Sequence, residues 1–337
     1  MKAAVLYDAH DVRIEDVPNP KVEPDGAVIK VKACGICGSD LPCYKYGGCD
    51  GMRLGHEFSG DIVEVGANIT GVEKGERVAA ISGRGCGQCY WCQKGDWIRC
   101  SKMDILGYGF PGAFAEYVSV PFFEMGTYAA RLPDTLTYEE GATAEPLSVA
   151  LYAVTQTQPR PEDTVVILGA GTIGLCIIQV LKARGVTQII VSGRRAKRLQ
   201  LAEESGANVV VDAAKEDIMP VVNKVTSSKG ADIVFECAGS SDSYQQALEM
   251  VHRGGKVDLV GLYKQSITWD PNFIVSNDIT LIGCGLRFDL PGAVDLLQSG
   301  KVNTKPLITH EFPLDKIKEA FETQLADEDA IKVLVKP

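Results

Sequence analysis

The stretch 34-CGICGSD-40 sets a thiol, a hydroxyl and a carboxylate close together at Cys37, Ser39 and Asp40. Sixteen residues after Asp40, 53-RLGHEFSG-60 adds an imidazole at His56 and a second carboxylate at Glu57. Histidine is scarce here, with four in 337 residues, so one beside an acid invites a chemical reading. Three protein ligands of mixed type with a fourth position left open are the donor set of a catalytic zinc. Asp40 is placed to accept a hydrogen bond from the second ring nitrogen of His56 and fix its tautomer. Ser39 is placed to take a proton from whatever binds the metal. A further carboxylate, Glu145, stands in 143-TAEPLS-148. Spacing alone equally allows a buried thiol at Cys37, a helix cap at Ser39 or Asp40, and a satisfied loop histidine at His56.

A second group lies in 85-GCGQCYWCQKGDWIRC-100, where Cys86, Cys89 and Cys92 recur every third residue and Cys100 follows. Four thiolates so spaced can close a tetrahedron around zinc and leave no open position, the pattern of a structural site. A third group, 165-VVILGAGTIGL-175, carries Gly169, Gly171, Thr172, Ile173 and Gly174 between a predicted strand and a predicted helix. Glycines there permit a tight turn and let backbone N–H groups approach a pyrophosphate at the helix N-terminus. An acid that would bond a ribose diol is expected at the end of the next strand. The chain instead reads 192-SGRR-195, with Gly193 in that place and Ser192, Arg194 and Arg195 around it. Two arginines at the start of a helix oppose its dipole unless an anion sits there. A ribose 2′-phosphate is such an anion, so NADP is expected over NAD.

These groups need elements to hold them. KAAVLY, AVIKVKA, SGDIVEVG, ERVAAI and FAEYVSVP read as short strands between Gly, Pro and Asp turns. From Thr137 onward the pattern changes, and near-continuous apolar strands alternate with amphipathic helices. TVVILGA, QIIVSG, NVVVDA, ADIVFECAG, KVDLVGL and DITLIGC are the strands, which predicts a doubly wound parallel sheet. The expected organisation is a mostly β catalytic domain over 1–147 with the cysteine lobe at 85–101, a dinucleotide domain over 148–283, and a return to the first domain over 284–337.

Composition agrees with a soluble α/β protein: 45% hydrophobic, 23% charged, 35 glycines. A net charge of −10 argues against nucleic acid or anionic membrane as partner. The segment MKAAVLYDAHDVRIEDV meets charge too early for a signal peptide, and no apolar run reaches the roughly 20 residues a bilayer needs. A cytoplasmic location is therefore expected. The eleven cysteines then read as metal ligands and buried small hydrophobes, not as disulfides.

Taken in order, GICGSD, LGHEFSG, the four-cysteine lobe, FAEYVSVP, AEPLSVALYAV, GAGTIG and KPLITHEFPLDKIKEAFE resemble the zinc-dependent medium-chain dehydrogenase/reductase family. The likeness is to its sorbitol (polyol) and threonine dehydrogenase branches and runs along essentially the whole chain. It implies a GroES-like catalytic domain split around a Rossmann domain, with the active site in the cleft between them. It implies two zinc ions per chain, a small alcohol or ketone substrate, and a homotetramer or homodimer. Cys37, His56 and Glu57 take the catalytic-zinc positions, Glu145 that of an alternating ligand, and Ser39 that of the hydroxyl that bonds substrate. Arg287 falls where the polyol branch keeps an arginine near substrate, and Tyr44 in 43-CYKYGGCDGM-52 offers another polar handle. Where that branch has a relay histidine, five residues after the zinc cysteine, this chain has Pro42. Amino alcohols, cyclitols and sugar-alcohol phosphates suit the same metal site, and a non-catalytic nucleotide-binding protein is a reading from a different class. Two zincs per chain favour catalysis over that last reading.

Overall fold

The computed structural model describes residues 1–285 and 287–337. The chain forms two compact units. One comprises Met1–Ser148, Phe288–Gly300 and Thr304–Pro337, the other Val149–Arg287 with Lys301–Asn303. Among the described residues no helix is long and apolar enough to cross a membrane.

The first unit is built on a seven-stranded sheet. Its order is Ile308–Pro313, Lys332–Lys336, Ala27–Gly35, Glu57–Val65, Arg77–Ala80 and Ala129–Arg131, with Tyr117–Val120 also paired to Ala27–Gly35. Only the first two strands of that order run parallel; the other pairings are antiparallel. Ile29, Phe58, Ile62, Phe114 and Phe321 fill the core beneath it. Each such side chain contributes about 1.5–3 kcal/mol by leaving water.

Register brings the two chemical stretches together. Gly35 lies opposite Glu57 on one side and opposite Leu334 on the other. The chain leaving its strand at Gly35 therefore delivers Cys37 beside His56, the residue just before the partner strand begins. Gly35 must lack a side chain, because a Cβ there would sit 2.3 Å from Glu57 Oε2. Beyond Cys37 the helix Asp40–Tyr46 forms, and the turn after it doubles back. That turn corrects one expectation: Cys43 and Cys49 form a disulfide, with their Cα atoms 5.5 Å apart. Compartment-level reasoning treats thiols in bulk, whereas this pair is joined because a six-residue loop returns on itself. The other nine cysteines form no disulfide among the described residues.

The second unit holds six parallel strands: Thr164–Leu168, Gln188–Gly193, Val209–Asp212, Ala231–Glu236, Val251–Leu259 and Thr280–Gly283. Across the sheet they run third, second, first, fourth, fifth, sixth. This is the doubly wound order, and it places a ligand crevice at the carboxyl ends of the first and fourth strands, where the winding reverses. The strands are apolar because both faces are covered: Val165, Val166 and Ile167 are each fully buried.

One residue breaks that pattern. Asp258 is fully buried in the fifth strand, and neither carboxylate oxygen has a hydrogen-bond partner among the described residues. Burial pushes its pKa up to about 7. A raised carboxyl pKa costs nothing below about pH 4, where folded and unfolded chains are both protonated. The cost grows as pH rises and is complete above pH 7. Asp258→Val is therefore expected to stabilise the protein by about 2–4 kcal/mol at pH 8 and by far less at pH 4. Urea midpoints measured at the two pH values check this, and an equal gain at both would remove the charge from the explanation.

Candidate metal and nucleotide sites

The ligand atoms of Cys37, His56 and Glu57 all lie within 4.8 Å of one another. Glu57 is 1% exposed, yet its carboxylate is not isolated. The Lys332 ammonium donates to Glu57 Oε2 and, at 3.0 Å, to the Ile36 carbonyl. Burial opposes the charge on Lys332, but Glu57 and Cys37 outweigh it and hold the pKa above the usual lysine value. His56 is treated alike: burial lowers its pKa, while Asp40 and Cys37 lift it well above the ordinary range. Glu145 opens the helix Ala144–Thr157 and stands outside the 4.8 Å group. Burial raises it to about 7, with His56 pulling downward and Glu57 pushing further up. A thiolate, an imidazole and a carboxylate converging with a second carboxylate nearby fit a zinc ion by donor chemistry.

Asp40 is fully buried under this group, though not by the contact expected of it. Its Oδ1 is 3.7 Å from His56 Nδ1, an ion-pair distance too long for a hydrogen bond. Its oxygens accept instead from the Cys37 N–H at 2.9 Å and from the Tyr108 hydroxyl at 3.1 Å. Ser39 occupies the N-cap position of the helix Asp40–Tyr46 but makes no side-chain cap bond. Its Oγ lies 3.0 Å from the Tyr108 hydroxyl.

Tyr44 corrects another expectation. It is fully buried, stacks on Phe321 and donates to Glu322 at 2.7 Å, so it belongs to the core and offers substrate nothing. The helical phase of Asp40–Tyr46 turns it inward, while Tyr46, two residues on, is 62% exposed. Arg287 follows the last parallel strand, in the second unit.

The four-cysteine lobe is compact, with the Sγ atoms of Cys86, Cys89, Cys92 and Cys100 all within 4.8 Å of one another. The short helix Tyr90–Gln93 sets Cys89 and Cys92 one turn apart, at 3.5 Å between sulfurs. Backbone N–H groups of Cys86 and Lys102 point at Cys100 Sγ, each at 3.3 Å. Amides of Gln88 and Cys89 pull the Cys86 pKa down to about 6, whereas burial pushes Cys92 up to about 12. Cys89 is also held below the usual thiol value, first by the Cys92 amide, so a set with two readily ionised thiols beside one that resists suits a cation that neutralises them together.

In the second unit a cavity of about 590 Å³ is lined by Gly169, Gly171, Ser192, Arg194, Arg195 and Arg198, among others. Gly174 packs so closely that a Cβ would meet the Gly169 carbonyl at 2.0 Å, which clamps the helix Thr172–Ala183 against the loop. Arg195 is the N-cap of the helix Ala196–Glu204, whose first turn carries no acid. Arg198 joins it there; burial first, and then the Arg195 charge, lower its pKa to about 10. Three guanidinium groups around one helix start fit a doubly charged phosphate, and the glycine cradle fits a pyrophosphate.

Sequence reasoning missed Lys332, Tyr108 and Arg198. Arg198 had a signal, since it lies one helical turn beyond Arg194 and Arg195. The other two had none, being remote in sequence from the groups they serve.

Residues 23–130 match the family model of an alcohol dehydrogenase GroES-like domain, and residues 172–299 that of a zinc-binding dehydrogenase. The chain is 35% identical to sorbitol dehydrogenase of Bacillus subtilis, over 100% of this chain and 97% of that protein. It is 37% identical to L-threonine 3-dehydrogenase of Bacillus licheniformis, over 91% and 90%. A solved zinc-binding dehydrogenase of Sinorhizobium meliloti bound to NADP superposes with a TM-score of 0.90 at 32% identity, covering 100% of this chain and 99% of that one.

Proposed function

The chain belongs to the zinc-dependent medium-chain dehydrogenase/reductase family, and from that premise we propose that Cys37, His56 and Glu57 hold the metal at which a secondary alcohol or polyol is oxidised, with NADP the preferred coenzyme. The reaction class is that of its relatives, hydride exchange between an alcohol or its ketone and NAD(P). The observation that carries the residue assignment is the convergence of those three side chains within 4.8 Å. When bound, zinc supplies Lewis acidity that lowers the pKa of a hydroxyl, and the nicotinamide supplies hydride chemistry.

The chain's own residues do the rest. Ser39 Oγ relays the hydroxyl proton, accepting it while releasing its own toward water. Lys332 gives the buried Glu57 carboxylate a countercharge, and Asp40, 3.7 Å from the His56 ring, lies on the far side of the imidazole as a nearby negative group. Glu145 would serve that metal as an alternating ligand or as a close neighbour of Glu57. Cys86, Cys89, Cys92 and Cys100 hold a second, structural zinc, making two per chain. We place the enzyme in the cytoplasm as a homo-oligomer. The last parallel strand, Thr280–Gly283, is a sheet edge with Leu281 exposed beside Val275, and pairing with a second copy would cover it.

Following nicotinamide absorbance with polyols, amino alcohols and secondary alcohols tests this reading. Oxidation of a polyol or secondary alcohol is expected, faster with NADP than with NAD, and no turnover across the panel overturns it. Arg194→Ala and Arg195→Ala are each expected to lower kcat/KM for NADP by about 10–100-fold, the range for one charge-assisted bond, with little change for NAD. Equal losses with both coenzymes would refute the phosphate assignment.

A further inference from the structure

We propose that Tyr108 is the positioning residue for Ser39, turning the serine hydroxyl so that its lone pairs face the substrate. The proposal rests on the reading that Ser39 takes the substrate proton. Tyr108 comes from a distant part of the first unit, in the turn after the cysteine lobe, where its N–H bonds to the Ile105 carbonyl at 3.0 Å. Its ring lies 5.8 Å from that of His56, and its hydroxyl reaches Ser39 Oγ at 3.0 Å and Asp40 Oδ1 at 3.1 Å.

A phenol has one proton to give, and here two neighbours compete for it. Asp40 already accepts the Cys37 N–H at Oδ2, which fixes its carboxyl with Oδ1 turned to the phenol as an acceptor. The Tyr108 O–H therefore donates to Asp40, and its oxygen accepts from the Ser39 O–H. That arrangement is directional. The Ser39 proton points at Tyr108, which leaves the serine lone pairs for an incoming hydroxyl. Burial and the Asp40 charge both push the Tyr108 pKa up, so the phenol stays intact across the working range. Ser39 has no cap bond to fix its rotation, so without Tyr108 its O–H would turn freely.

The test compares Tyr108→Phe, Ser39→Ala and the double variant in the zinc-loaded enzyme, with zinc content measured for each. Tyr108→Phe is expected to lower kcat by about 10–100-fold, toward the low end of proton-transfer effects, with the KM for NADP and zinc content unchanged. In the Ser39→Ala background the same substitution is expected to have no further effect. Binding of tert-butanol, an alcohol that cannot be oxidised, is expected to weaken about fivefold in both single variants by calorimetry without coenzyme, the worth of one hydrogen bond. If Tyr108→Phe keeps full kcat, or if the two losses multiply, the positioning role is wrong while the assignment of Ser39 stands. If Ser39→Ala itself keeps full kcat, the reading of Ser39 fails and the proposal fails with it.

Discussion

Cys37→Ser is expected to lower turnover by at least about a thousandfold and to reduce zinc from two ions per chain to one. The thiolate is the softest donor of the first group, and the two remaining side chains hold a divalent ion poorly. Zinc brings the pKa of bound water from about 15.7 to about 7, a change of nearly nine units, or about 12 kcal/mol at ~1.4 kcal/mol per unit. Losing even a third of that in the transition state gives the stated factor. The cysteine lobe lies in a separate stretch of the chain, so its zinc is expected to stay. Metal analysis beside steady-state kinetics decides the matter, and a serine variant with two zincs and full turnover would remove Cys37 from the site.

The second large effect concerns stability. Lys332 and Glu57 form an ion pair with side chains only 3% and 2% exposed. Lys332→Met strands the Glu57 carboxylate near Asp40 and Glu145, two further buried acids. Breaking one side of a buried pair costs about 3–5 kcal/mol, because a charge stays behind without compensation. That loss is expected in full in the zinc-free protein and in reduced measure once a cation is restored to the site. Urea midpoints with and without zinc measure both. Identical midpoints for the variant and the parent protein in the zinc-free state would mean that Glu57 does not depend on Lys332.

What could be read from the sequence was whatever local spacing encodes. Cys86, Cys89 and Cys92 declare themselves because they recur every third residue, and Gly169, Gly171 and Gly174 because they stand between an apolar strand and a helix. The pairing of Cys37 with His56 was not fixed by spacing and rested on the family likeness; the structure supplies its reason, two adjacent antiparallel strands that bring the stretches together. Lys332 was not, because it meets Glu57 through strands 275 residues apart. Tyr108 was hidden for the same reason, at 68 residues from Asp40. Tyr44 misled because polarity was taken for exposure; helical phase and a buried acceptor, Glu322, override that. The Cys43–Cys49 bond depended on how sharply a loop turns, which composition does not report.

The division of the chain also orders its birth on the ribosome. The nucleotide-binding unit is almost contiguous, so it can close its core while the closing strand of the first unit is still unmade. The strand Lys332–Lys336 follows every other described strand in the chain, yet it lies inside the sheet and carries the only cation that touches Glu57 among the described residues. Until it arrives, Glu57 has no buried countercharge and the sheet ends at Ala27–Gly35 with an open edge. The first site is thus completed only when that strand arrives, after the residues that line the coenzyme cavity have already been made.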